Sequence, residues 1–262
     1  MVFLFEKLKA EGFHLADSHV HVFPNSEMNT KLLKAAEAFN VGRLYASIAP
    51  LELAGGFKPP HDEVRRANEL VACVQRESGG LVRGMVYVNP LNREDLQLAR
   101  ELIEREGFAG IGELYRTCKP WRAEALRFFE LAEELDVPVL VHTAHRLYPR
   151  DRPEEATPDD VARVARKFPR VKVIMAHITG GGDWEYALEV IRRCPNVYVD
   201  VGGSVPESGA VERAVELLGP SRVLFASDCL FAESVGRVES AELPEEHKRK
   251  IYYENASEVF RE

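Results

Sequence analysis

The stretch Leu15-Ala16-Asp17-Ser18-His19-Val20-His21-Val22 decides between two ways of folding this chain. It reads as a buried β-strand, and what stands at its end is the informative part. A doubly wound sheet places a Gly-rich phosphate-binding turn after its first strand. Here the strand ends in Asp17-Ser18-His19-Val20-His21 instead. Residues i and i+2 on a strand share a face, so both imidazoles can point the same way, and Asp17 shares their parity.

Outward from this stretch, short runs rich in Val, Ile and Leu recur along the chain. The strand candidates are 15–22, 43–48, 82–88, 109–114, 138–142, 171–177, 197–201 and 223–227. Between them lie amphipathic segments at 28–39, 62–77, 93–106, 122–135, 159–168, 184–193, 207–218 and 245–260. Thr157-Pro158 forms a cap and first-position start for one of these helices, and Pro169, Pro195 and Pro220 stand just past helix ends. Strand–helix alternation with continuous apolar strands marks a parallel sheet buried on both faces. Eight such units suit a closed α/β barrel, the (β/α)8 or TIM barrel, as a single domain over 1–262. The irregular stretches, 49–60, 146–156 and 229–243, each follow a strand, where a barrel places its functional loops.

Composition agrees. The chain has 262 residues, 45% hydrophobic and 29% charged, the profile of a soluble globular protein. A net charge of −8 and a pI of about 5.6 argue against a nucleic-acid partner, which calls for a basic surface. Cys73, Cys118, Cys194 and Cys229 are widely spaced, so a reducing, cytoplasmic setting is expected rather than a disulfide framework. No apolar run reaches the roughly 18 residues a membrane-spanning helix needs. The residues from Met1 onward carry no basic n-region and read as a turn or helix packed on the barrel.

The chemistry lies in how the strands end. His142 closes Val139-Leu140-Val141-His142, and His177 closes Val173-Ile174-Met175-Ala176-His177. Asp228 follows Val223-Leu224-Phe225-Ala226-Ser227, and Glu113 lies in Gly110-Ile111-Gly112-Glu113-Leu114. One H-x-H pair among eight histidines can be accidental. Metal-ligand residues at the ends of five strands, all on the face where barrels keep their active sites, point to a divalent-metal centre. Imidazole and carboxylate ligands suit Zn²⁺ first, and also Mn²⁺, Fe²⁺ or Ni²⁺.

This ordered series resembles the amidohydrolase superfamily, and within it the amidohydrolase-2 group of TIM-barrel metal-dependent hydrolases and decarboxylases. Further pieces that carry the resemblance are Gly84-Met85-Val86-Tyr87-Val88-Asn89-Pro90, Met175-Ala176-His177-Ile178-Thr179-Gly180-Gly181 and Tyr198-Val199-Asp200-Val201. The resemblance implies that His19 and His21 hold a first metal with Asp228 beside it, and that His142 is a ligand. It makes His177 a second-metal ligand or a catalytic histidine. Glu113 stands where the similar TatD-type nucleases carry a metal-bridging Glu, which leaves one or two ions open.

The expected reaction is hydrolysis of a small amide, ester, lactone or phosphoester by a metal-activated water, with Asp228 moving the proton and His177 stabilising charge. The alternative is a non-oxidative decarboxylase on the same metal site, a lyase; a non-catalytic metal-binding barrel is the third reading. The chain is shorter than typical decarboxylases of the group, which favours hydrolysis. Arg116, His145 and Arg146 are candidates to bind a small, anionic substrate. The other charges after strands four and five, including Arg152 and Glu155, read as solvated loop charge. A homodimer is compatible with an enzyme of this kind.

Overall fold

Eight parallel strands form one sheet in which each lies beside the next in chain order. In the computed structural model the described residues are 3–50, 53, 56–144, 152–178, 183–203 and 208–262. The strands are β1 (Leu15–Val22), β2 (Val41–Ile48), β3 (Val82–Val86), β4 (Gly110–Leu114), β5 (Val139–Val141), β6 (Val173–Met175), β7 (Val197–Asp200) and β8 (Val223–Leu224). Each pairs in parallel with the next. The ring is drawn together between its last and first members: Ser18 N and Oγ donate to Phe225 O at 3.0 and 2.8 Å, and Asp228 N donates to His19 O at 2.9 Å. The result is a nearly closed (β/α)8 barrel.

Helices alternate with the strands: α1 (Leu4–Ala10), α2 (Ser26–Ala38), α3 (His61–Glu77), α4 (Glu94–Glu106), α5 (Ala123–Leu135), α6 (Pro158–Lys167), α7 (Trp184–Ile191), α8 (Ala210–Leu218), α9 (Phe231–Ser240), α10 (Glu245–Arg249) and α11 (Asn255–Phe260). A π-helical turn, Lys250–Glu254, joins the last two. Thr157 caps α6 and Pro158 occupies its first turn, as the sequence implied. The expected loop at 229–243 instead contains α9. Phe231, Val235 and Val238 recur at i, i+4 and i+7, the stripe a helix needs to bury one face. No helix among the described residues is long and apolar enough to cross a membrane.

Two apolar layers hold the barrel. The outer faces of the strands, with Leu15, Val20, Val22, Val139 and Val173, pack against the helices. The interior is filled by Tyr45, Met85, Leu140, Ile174 and Leu224, and α11 closes that end with Phe260 stacked 3.5 Å from the Tyr45 ring. One end of the barrel is therefore plugged by apolar packing, and polar chemistry is left to the other end.

The later strands are shorter than their apolar runs because their C-terminal residues leave the ladder. His177, Asp228 and Arg116 adopt left-handed backbone conformations, with φ of 60°, 47° and 49°. Such conformations are uncommon for residues with a Cβ and gather at functional sites. In β1 the pairing register shifts between Asp17 and Val20, so the parity expected to link Asp17 with His19 and His21 is broken. Asp17 Oδ1 instead accepts the backbone N–H groups of His19 and Ser227, at 3.1 and 3.0 Å, and ties β1 to the end of β8.

Candidate metal centre

The residues that end the strands converge at the open mouth. His19 and His21 come from β1, Glu113 from β4 and Asp200 from β7, while His142, His177 and Asp228 lie just beyond β5, β6 and β8. His19 Nε2 and His21 Nε2 stand 3.2 Å apart. Asp228 Oδ1 is 3.3 Å from His21 Nε2. Glu113 Oε2 is 3.6 Å from His21 Nε2 and 3.7 Å from His19 Nε2. The other carboxylate oxygen, Oε1, lies 2.8 Å from His142 Nδ1 and 3.7 Å from His177 Nε2.

Hydrogen bonds behind the rings assign the lone pairs. His19 Nδ1 lies 2.9 Å from Asp200 Oδ2, a carboxylate that can only accept, so the proton of a neutral ring sits on Nδ1. His21 Nδ1 faces the Ile48 carbonyl and Ser47 Oγ, each at 3.2 Å, and is likewise the donor. Both Nε2 atoms then present bare lone pairs to one another and to two carboxylate oxygens. Four acceptors with no proton among them repel unless something positive lies between. The chemistry of this donor set fits a divalent cation held by nitrogen and oxygen.

The charges of the cage point the same way. Burial pulls the His19 imidazole toward neutrality, yet the Glu113 and Asp200 carboxylates outweigh it and raise its pKa well above the ordinary value. Burial opposes the charge on Glu113 too, but His142 and His19 hold its pKa well below the usual carboxylate range. Burial raises the Asp228 carboxyl, but the His21, His19 and His177 imidazoles around it overcome that and hold it at about 2. Asp17 differs: burial outweighs its hydrogen bonds and pushes it up to about 7.

The cage forms the floor of a cavity of about 250 Å³, walled by Phe23, Pro50, Tyr115, His142, His177 and Cys229. His177 N donates to Asp200 Oδ1 at 2.8 Å, so one Asp carboxylate braces both His19 and His177. His177 Nδ1 is buried and has no hydrogen-bond partner among the described residues.

The sequence profile of the family described as amidohydrolase matches residues 16–261. The chain belongs to the amidohydrolase family. No curated protein matches this amidohydrolase in sequence at a significant level. Among solved structures, it is similar to the 2,6-dihydroxybenzoate decarboxylase from Rhizobium, with a TM-score of 0.70, 15% identity, and coverage of 94% of this chain and 99% of the other. It is similar to the 5-carboxyvanillate decarboxylase from Novosphingobium aromaticivorans, complexed with manganese and 4-hydroxy-3-methoxy-5-nitrobenzoic acid, with a TM-score of 0.70, 15% identity and coverage of 96% and 97%. A 4-oxalomesaconate hydratase from Rhodopseudomonas palustris follows, with a TM-score of 0.63, 15% identity and coverage of 90% and 82%.

These matches correct the expected reaction. The solved structures that this chain resembles include several decarboxylases and a hydratase, which are lyases, and they favour the alternative over the hydrolase reading. The physical reason it misled is that a metal-bound carboxylate and a metal-activated water ask for the same ligands. The length argument falls with it, since the shared span reaches 97% and 99% of the two decarboxylases.

The candidate substrate residues fare unequally. Arg116 lies not in the cavity above the cage but in a neighbouring one of about 390 Å³ with Lys58 and Arg152, its guanidinium 4.2 Å from the centre of the Phe57 ring. His145 and Arg146 lie outside the described residues. His61 is half-buried and bonded to the buried Asp95 at 2.6 Å, away from the cage. Cys229 packs against the His21 backbone and burial pushes its thiol up to about 12, in line with a small packed residue. The expected set omitted Asp200 and Glu155. Asp200 carried a signal, since Tyr198-Val199-Asp200 is one more apolar strand ending in a carboxylate.

Proposed function

We propose that this chain is a metal-dependent, non-oxidative decarboxylase of a small aromatic carboxylate. The observation that carries the reading is the acceptor-only cage of His19, His21, Glu113 and Asp228 at the floor of a 250 Å³ cavity whose upper walls, Phe23, Pro50 and Tyr115, are apolar or aromatic. That space suits a one-ring acid, with its carboxylate toward the cage and its ring against Tyr115. The names of the structural relatives, two of which act on dihydroxybenzoate and carboxyvanillate, support the same class.

His19, His21 and Asp228 would hold a first cation together with Glu113 Oε2. His142 would join them, or with His177 and Glu113 hold a second one; with a single cation bound, His177 keeps its ring nitrogen for proton transfer. The mixture of imidazole and carboxylate suits Mn²⁺ as well as Zn²⁺. When bound, the cation supplies Lewis-acid attraction for the substrate's oxygens and fixes their orientation.

The protein's own groups must deliver one proton. Decarboxylation adds H⁺ to the ring carbon that bears the carboxylate; the C–C bond then breaks, its electron pair returns to the ring, and CO₂ leaves. Asp228 and His177 both line the cavity, with side chains 28% and 14% exposed, so Asp228 is the better placed to exchange protons with solvent and His177 to hold one beside the substrate. The apolar walls keep bulk water from the reacting carbon.

The test is direct. Protein loaded with Mn²⁺ or Zn²⁺ is incubated in D₂O with 2,6-dihydroxybenzoate or 5-carboxyvanillate carrying a ¹³C-carboxyl. Release of ¹³CO₂ with one deuterium on the product ring is expected. Turnover of esters or lactones without CO₂, or no release of CO₂ from a panel of one-ring aromatic acids, rejects the proposal.

A further inference from the structure

Behind the cage stands another buried carboxylate, that of Glu155. Its Oε1 lies 3.4 Å from His142 Nε2, a close contact without hydrogen-bond alignment, and that buried nitrogen has no hydrogen-bond partner among the described residues. At the opposite corner of the same ring, His142 Nδ1 is 2.8 Å from Glu113 Oε1. The Tyr115 ring packs on the imidazole with 4.3 Å between centroids, which limits its rotation.

Glu155 is itself held. Arg152 Nη1 donates to its Oε1 at 3.1 Å, and Arg116 Nε is 3.9 Å away. Lys119 Nζ donates to its backbone oxygen at 2.7 Å. Ala144 N donates to Ala156 O at 2.9 Å, which fastens this segment beside the end of β5, close to His142. Such a constellation fixes a carboxylate in place rather than leaving it as loop charge.

A neutral imidazole has one N–H and one lone pair, and the partner of one nitrogen dictates the role of the other. Both His142 nitrogens face carboxylates, so the proton goes to whichever carboxylate is not engaged by a cation. We propose that Glu155 is a positioning residue: once Glu113 is engaged by a cation, Glu155 accepts the Nε2–H of His142 and so leaves the Nδ1 lone pair facing the cage. A carboxylate behind a ligating imidazole also increases its basicity as a donor. This inference rests on the reading of the cage as a cation centre, and it is independent of the reaction catalysed there.

The experiment uses full-length protein labelled with ¹⁵N-histidine and loaded with diamagnetic Zn²⁺. Imidazole ¹⁵N shifts are recorded for wild type, Glu155→Gln and Glu155→Met, and Zn²⁺ affinity is measured on each metal-free protein. Wild type is expected to show His142 Nε2 as N–H and Nδ1 as the bound nitrogen. Glu155→Gln, which keeps an accepting oxygen, is expected to retain that pattern. Glu155→Met is expected to lose it and to bind Zn²⁺ about 10–100-fold more weakly, with the His19 and His21 signals intact as proof of folding. A wild-type His142 protonated on Nδ1, or a Glu155→Met protein with unchanged shifts and affinity, overturns the proposal. Failure of wild type to bind Zn²⁺ at all overturns the cage reading, and this one with it.

Discussion

His19 illustrates how one residue's chemistry is settled by another far along the chain. Its cage-facing nitrogen is available because Asp200, 181 positions away, engages the opposite nitrogen. Removing that acceptor charge weakens the fixed orientation of two ligands at once, since Asp200 also receives the His177 backbone amide. Asp200→Asn is therefore expected to lower metal affinity about 10–100-fold, measured by calorimetric titration of the metal-free protein; unchanged affinity rejects the role. For Asp228, replacement by Asn removes a carboxylate without changing shape. Turnover is expected to fall about 10²–10⁴-fold, with protein still folded by circular dichroism; full activity in that variant rejects its assignment to proton transfer.

At the scale of elements, the wall of the mouth after β5 is organised by the start of α6. Asp160 accepts from Lys119 Nζ at 2.8 Å, Trp121 Nε1 at 2.7 Å and Thr157 N at 3.0 Å, tying the loop after β4 to the helix cap. Burial pushes the Asp160 carboxyl up, but the Lys119 hydrogen bond and the Thr157 amide outweigh it, so the folded pKa is lowered. A group depressed in the folded state adds stability above its unfolded pKa and loses it as pH falls through the folded value. Asp160→Asn is expected to cost about 1–2 kcal/mol at neutral pH. That gap from wild type should close as the pH drops below about 4. Urea melts at pH 7, 5 and 3 give the answer, and a gap independent of pH rejects the argument.

At the scale of the whole molecule, the barrel concentrates like-natured acceptors at one end, and a cation relieves their repulsion in the folded state alone. A ligand that binds only the native form at 100 times its Kd adds about 2.7 kcal/mol, which for a domain of this size raises the melting temperature by about 5–10 °C. Chelation is expected to reverse that rise, and the effect should shrink in acid as the imidazoles take up protons. Thermal melts with and without Mn²⁺, at pH 8 and pH 5.5, check both; identical curves would count against a metal centre in this fold.

By itself, the sequence determined the local and periodic features. Apolar runs alternating with amphipathic segments specify strands and helices from near neighbours alone. A residue placed at the end of a run is carried to the barrel mouth by strand direction, which is why the convergence of His19, His21, Glu113, His142, His177 and Asp228 at that mouth was legible. Tertiary structure decided what depends on residues distant in the chain. It set the shift in β1 that takes Asp17 off the shared face, the pairing of Asp200 with His19, the placement of Glu155 behind His142, and the separation of Arg116 from the cavity above the cage. The physical reason is that a hydrogen bond between strands has no signature in either strand's own composition. Which nitrogen of an imidazole offers its lone pair is fixed only once the partner behind the ring is in place.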